Sequence, residues 1–147
     1  MEIIFDTLHD LYVKSGATDF VFFDVPPIDR FHGGNEDLDC PSSVESDFLH
    51  PVVESGLTKD IKERVETWNE LLRSQAKDFV EGDEKVTIFV FSTHQVLTEV
   101  LDEPPDFDFV EEDPETEGTG IWADGLHLIP AVHAILAERL LESLTKR

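Results

Sequence analysis

Asp19-Phe20-Val21-Phe22-Phe23-Asp24-Val25-Pro26-Pro27 is the stretch that decides the fold. From Phe20 to Val25 it is almost continuously apolar, and it stops at two prolines, which cannot donate to a sheet ladder. Such a run predicts a short strand buried on both faces. Val86-Thr87-Ile88-Phe89-Val90-Phe91 has the same character and predicts a second buried strand. Around and between them, apolar residues recur at helical spacing. Ile3, Ile4, Leu8, Leu11 and Tyr12 predict a first helix, with Gly16 where a left-handed residue ends it. Ile61, Val65, Trp68, Leu72, Ala76 and Phe79 predict the longest helix, beginning after Thr58 as N-cap. Val96, Leu97, Val100 and Leu101 predict a short helix ended by Pro104-Pro105, and Ala131, Ile135, Leu136, Leu140 and Leu144 a last one, with Lys146 and Arg147 at its negative end.

Strands separated by helices need crossover connections, so the two strands are expected to be parallel and adjacent, to end at one edge, and to lie between helix layers. The fold class is α/β. Two strands make a poor sheet, and both read as central rather than edge strands, because neither shows the alternation or charge of a half-exposed one. A sheet partner is therefore expected from another chain or from residues outside this one. Irregular connections are expected at about 26–57 and 102–125. Asp102 to Glu117 carries nine acids and no base; its acids miss calcium-loop spacing, so it reads as an exposed, solvated loop.

Composition narrows the function classes. A chain of 147 residues, 40% hydrophobic and 10% aromatic, suits one globular domain, and such a length buries roughly 70% of its unfolded surface. The net charge of -22 argues against nucleic acid or an anionic membrane surface as partner, since both need a basic face. The one cysteine, Cys40, excludes an internal disulfide and a multi-cysteine metal cage. His9, His32, His50 and His94 lack metal-ligand spacing, so no metal or other cofactor is assigned. No stretch approaches the ~20 apolar residues of a membrane span. The opening Met1-Glu2-Ile3-Ile4-Phe5-Asp6 has acids where a signal peptide has bases, which leaves the compartment open: cytosolic if Met1 is the true start, undetermined if a longer precursor exists.

The chemistry gathers in Ile121-Trp122-Ala123-Asp124-Gly125-Leu126-His127-Leu128-Ile129-Pro130. An Asp three residues before a His, on a Gly-containing loop ahead of a helix, can set its carboxylate against one imidazole nitrogen and aim the other at a nucleophile. The same spacing also suits a local surface turn before a helix. Trp122 and Leu128 supply apolar cover, Gly125 permits a tight turn, and the pair follows the last strand, at the sheet edge where sites gather in α/β folds. His133 reads as a packing or surface residue. No G-x-S-x-G elbow or Gly-Asp-Ser triplet occurs, Gly33-Gly34-Asn35-Glu36 reads as a loop turn, and Ser92 lacks the small neighbours of a nucleophile elbow.

Three blocks together carry a resemblance: Gly16 to Arg30, with its Pro-Pro strand; Val86 to Phe91; and Trp122-Ala123-Asp124-Gly125-Leu126-His127. In that order they resemble the C-terminal half of an SGNH hydrolase, the GDSL lipase/esterase family, nearest its fungal acetylesterase-like branch. The resemblance implies a flavodoxin-like three-layer sandwich with a parallel sheet, a single domain over 1–147 that is incomplete at its N-terminal strands, and cleavage of carboxylic esters such as sugar acetates or lipid esters. It implies His127 as general base and Asp124 as its orienting acid. The family, which includes secreted members, places its nucleophilic Ser and oxyanion Gly and Asn upstream of all three blocks, and none has a match here. The expected function is thus the acid and base part of such an esterase; the alternative is an inactive acidic interaction module of the same fold, associating with itself or a partner through an open sheet edge.

Overall fold

A computed structural model describes residues 2–30, 52–116, 118, 120–124 and 127–146. Helix α1 (Glu2–Ser15) leads into strand β1 (Asp19–Phe23) and a 3-10 turn at Ile28–Arg30. Helix α2 (Val52–Gly82) leads into β2 (Thr87–Phe91) and α3 (Thr93–Asp102), and 3-10 turns at Pro104–Phe107 and Asp113–Glu115 precede α4 (Pro130–Thr145). Gly16 closes α1 at φ +70°, a backbone state that side chains with a Cβ resist, and donates its N–H to the Tyr12 carbonyl at 3.0 Å.

β1 and β2 form a parallel two-stranded sheet in register from Asp19 opposite Thr87 to Phe23 opposite Phe91. The expected α/β class, with adjacent parallel strands, is met. Double burial is not. The Phe20 and Phe22 face is covered by helices: the Phe5 ring of α1 meets Phe22 at 5.7 Å and Phe79 of α2 at 6.0 Å. On the other face of β1, Val21 is 45% and Phe23 54% exposed, although Phe23 meets Phe91 edge-on at 5.8 Å. An apolar run therefore alternates in burial because only one of its faces finds a helix layer.

Three further readings are corrected. Helix α2 begins at Val52, so Gly56 and Thr58 lie inside it and Thr58 is no N-cap; a helix-interior glycine costs about 1 kcal/mol, too little to end a helix of 31 residues. The acidic stretch from Asp102 is not simply a solvated loop. It contains two 3-10 turns, and Phe107 and Phe109, set between its acids, pack against the core cluster of Leu97, Val100, Leu101, Ile121, Trp122 and Val132. Val132 rather than Ala131 is the fully buried residue of the first turn of α4.

The two halves of the crossover meet at Asp24, directly after β1. Its N–H donates to the Phe91 carbonyl at 3.2 Å, extending the ladder. Its side chain is fully buried and accepts from Ser92 Oγ at 2.6 Å, Arg73 Nη2 at 2.7 Å and the His94 N–H at 2.9 Å, with the Thr93 hydroxyl 3.0 Å away. The Ser92 hydroxyl in turn accepts from the Gln95 N–H, capping α3. One residue on, Asn69 of α2 clasps Val25, accepting from its N–H at 2.8 Å and donating to its carbonyl at 2.9 Å. Asp24→Asn keeps the shape but offers an amide where donors converge. Unfolding in urea should show a loss of about 3 kcal/mol in that variant.

At the opposite edge the Tyr12 hydroxyl donates to Asp83, which holds the Asp83 carboxyl below its ordinary 3.8 and the Tyr12 phenol above its ordinary 10.0. A depressed carboxyl stabilises the fold above 3.8 and loses that contribution as pH falls through the lowered value; a raised phenol stabilises it below 10.0 and loses that contribution as pH rises through the raised value. Melting curves of Tyr12→Phe should therefore converge on those of the unaltered protein at both pH extremes and fall below them between.

Candidate functional site

The loop bearing Asp124 and His127 grows out of the core cluster. Ile121 and Trp122 are fully buried, and Trp122 pairs with Leu128 in a single antiparallel bridge. The Ala123 N–H donates to the His127 carbonyl at 2.7 Å and the Ile129 N–H to the Ile121 carbonyl at 3.1 Å, so the stretches on either side, 121–123 and 127–129, run against each other. Pro130, whose fixed φ suits a first helical position, then starts α4. Gly125 and Leu126, and the turn role expected of Gly125, lie outside the described residues.

Within the loop, Asp124 does two things at once. Its Oδ1 accepts the His127 N–H at 2.7 Å, a local bond from side chain to backbone three residues on. The same carboxylate lies 2.9 and 2.8 Å from His127 Nδ1. The expected contact at this three-residue spacing is therefore present. When Nδ1 carries the proton of a neutral imidazole, Nε2 is left as the acceptor, which is what a general base requires. Both side chains are exposed, His127 at 73% and Asp124 at 58%, so Nε2 is open to an incoming group.

The remaining chemistry-bearing residues are elsewhere. Ser92 is a helix cap whose hydroxyl faces Asp24 and the Gln95 amide, not an imidazole. His9 and His133 are exposed on α1 and α4. His32, Gly33, Gly34, Asn35, Cys40 and His50 lie outside the described residues. No group of three or more His, Cys, Asp or Glu among the described residues could hold a metal ion, and no helix among them is long and apolar enough to cross a membrane. An open groove of ≈ 820 Å³ runs between α3, the Pro104–Phe107 turn and α4, with His94, Glu99, Asp102, Phe107 and Arg139 in its lining, and neither Asp124 nor His127 belongs to it. Asp24, Asn69 and Arg73 are the polar residues that sequence reasoning passed over. Their signals were an acid inside an apolar run and an Asn on the buried stripe of α2.

An exposed pair of this kind contributes little to stability. Asp124→Ala should thus change the unfolding free energy measured in urea by less than about 1 kcal/mol, while nitrogen NMR of the neutral His127 ring shows its Nδ1–H preference lost. Compared with known proteins, the chain matches no family model, no curated protein and no solved structure.

Proposed function

We propose that this chain supplies the acid and base of a carboxylic-ester hydrolase of the SGNH type, within a flavodoxin-like three-layer sandwich whose nucleophilic serine lies outside these residues. The observation that carries this reading is the Asp124 carboxylate at 2.8 and 2.9 Å from Nδ1 of a His127 side chain that is 73% exposed. The parallel pair β1 and β2, the convergence of both strand ends at Asp24, and the position of the pair ahead of the last helix are consistent with it.

In this reading His127 Nε2 takes the proton of a serine hydroxyl as that oxygen attacks the ester carbonyl, and returns it to the departing alcohol. Asp124 keeps the ring in the productive tautomer and stabilises the imidazolium that forms. A water, activated by the same nitrogen, then frees the acid. Substrates are carboxylic esters, sugar acetates or lipid esters, and the chemistry calls for no cofactor. Without a serine the pair can only assist direct attack by water.

The experiment is turnover of an aryl acetate by this chain and by a longer one carrying upstream residues with the serine. The short chain is expected to be nearly inactive, and the longer one active and weakened by roughly 10²–10⁴-fold in His127→Ala. Robust turnover by the short chain that depends on His127, or a long chain indifferent to His127, would overturn the proposal.

One observation favours a second reading, a non-catalytic module that associates through its sheet: Val21 and Phe23 leave an apolar patch uncovered on β1. Chains of net charge -22 repel one another, so self-association should strengthen as salt screens that repulsion. Sedimentation at low and high salt reads it, and Phe23→Glu should hold the chain monomeric in both.

A further inference from the structure

The proposed base sits on an exposed loop, yet the loop's root is among the most buried parts of the molecule. Trp122 is 0% exposed, and its indole Nε1–H donates to the Pro114 carbonyl at 2.8 Å. Its own carbonyl accepts the Gly118 N–H at 3.0 Å. Pro114 belongs to the Asp113–Glu115 turn, which is tied in two ways: Asp113 Oδ2 accepts the Val110 N–H at 2.8 Å, and Asp113 packs against Gly120 so closely that a Cβ there would lie 2.3 Å from Oδ1. Gly120 has φ +69°, so the close approach and the backbone both require glycine. The acidic stretch and the loop are in this way clamped to each other across the indole.

A ring alone would fill the core; the N–H adds direction. Phenylalanine at this place would cover apolar surface and keep the Gly118 bond, but it would lose the fixed point on the Pro114 carbonyl and with it one restraint on the root along the Asp113–Glu115 turn. Asp124 stands two residues beyond Trp122, and His127 one residue before its bridge partner Leu128. Slippage of the root would thus displace the two ends of the carboxylate–imidazole contact relative to each other. A carboxylate that must serve the His127 amide and Nδ1 together tolerates little such displacement, because hydrogen bonds weaken steeply as alignment is lost.

We propose that Trp122 is a positioning residue for the Asp124–His127 pair: its indole N–H, fixed on the Pro114 carbonyl, holds the loop so that the Nδ1 proton of His127 stays on Asp124. The acidic segment is then a bracket for the site. The functional meaning of this role rests on the reading of His127 as a base, but its geometry does not.

The test is nitrogen NMR of the neutral His127 ring in the full chain. Trp122→Phe keeps an aromatic filler and deletes the donor; replacing Trp122 with 3-benzothienylalanine deletes the N–H at nearly unchanged ring volume and covers the case in which the phenylalanine variant fails to fold. With the helical circular dichroism retained, the two ring nitrogens should move toward each other as the Nδ1–H preference is lost. Gly120→Ala, which pushes Asp113 away from the loop, should shift them in the same sense. A lowered melting temperature with unchanged ring-nitrogen signals in the benzothienyl protein would overturn the proposal and leave Trp122 as core filler. No arm reads ester turnover, so a tautomer shift in a protein whose completed form cleaves no aryl acetate supports the positioning role while the esterase reading falls.

Discussion

A single buried carboxylate holds the crossover together. Asp24 has no exposed side-chain surface, and a charge in that position is tolerable only when donors surround it. Those donors come from two places far from it in sequence: Arg73 on α2, and the junction of β2 with α3, which supplies both the Ser92 hydroxyl and the His94 amide. Removing any one element would leave the charge short of partners. The register of β1 against β2, the seat of α2 and the start of α3 are therefore mutually dependent. The side chain of Arg73 is half exposed, so the cluster around the buried carboxylate still reaches water.

Asp24 and Asp124 show how differently one side chain can be used. The first gathers long-range donors, and its geometry exists only once the chain is folded. The second bonds a neighbour three residues on, so its contact is local and was legible from spacing. The same locality limits what the contact says, because a bond from an Asp side chain to a nearby backbone amide forms for structural reasons as readily as for chemical ones. What lifts the pair above an ordinary surface turn is the buried root beneath it, with Ile121 and Trp122 in the core cluster and Phe107 and Phe109 packed alongside.

Much of the fold could be read from apolar periodicity, and the departures have physical causes. The order of helices and strands and the parallel pairing follow from patterns that local chemistry enforces. Burial on both faces of β1 did not follow, since apolar composition states what a strand can bury and not how many layers are at hand to cover it. The start of α2 was misread from Thr58, a residue with capping chemistry that lies inside a helix with apolar Val52 and Val53 ahead of it. Charge dominated the reading of the acidic stretch, although two phenylalanines spaced among its acids give it an inward side. Of the candidate site, the contact between Asp124 and His127 was legible from spacing; the indole beneath them was read only as apolar cover, because its partner is a backbone carbonyl, invisible to side-chain motifs.

The sheet register carries a kinetic implication. Asp19 pairs with Thr87, a separation of 87 - 19 = 68 residues. Closing a flexible loop of that length costs roughly 4 kcal/mol of chain entropy, by the logarithmic dependence on loop length, before any ladder bond forms to offset it. Non-local parallel pairing is slow for this reason. Helix α2, whose bonds are all local, is placed to form first and to shorten the effective span by folding 31 of the intervening residues into a rod. Until it does, two phenylalanine-rich strands stand unpaired, and the lifetime of that interval sets how readily newly made chains find one another instead of themselves.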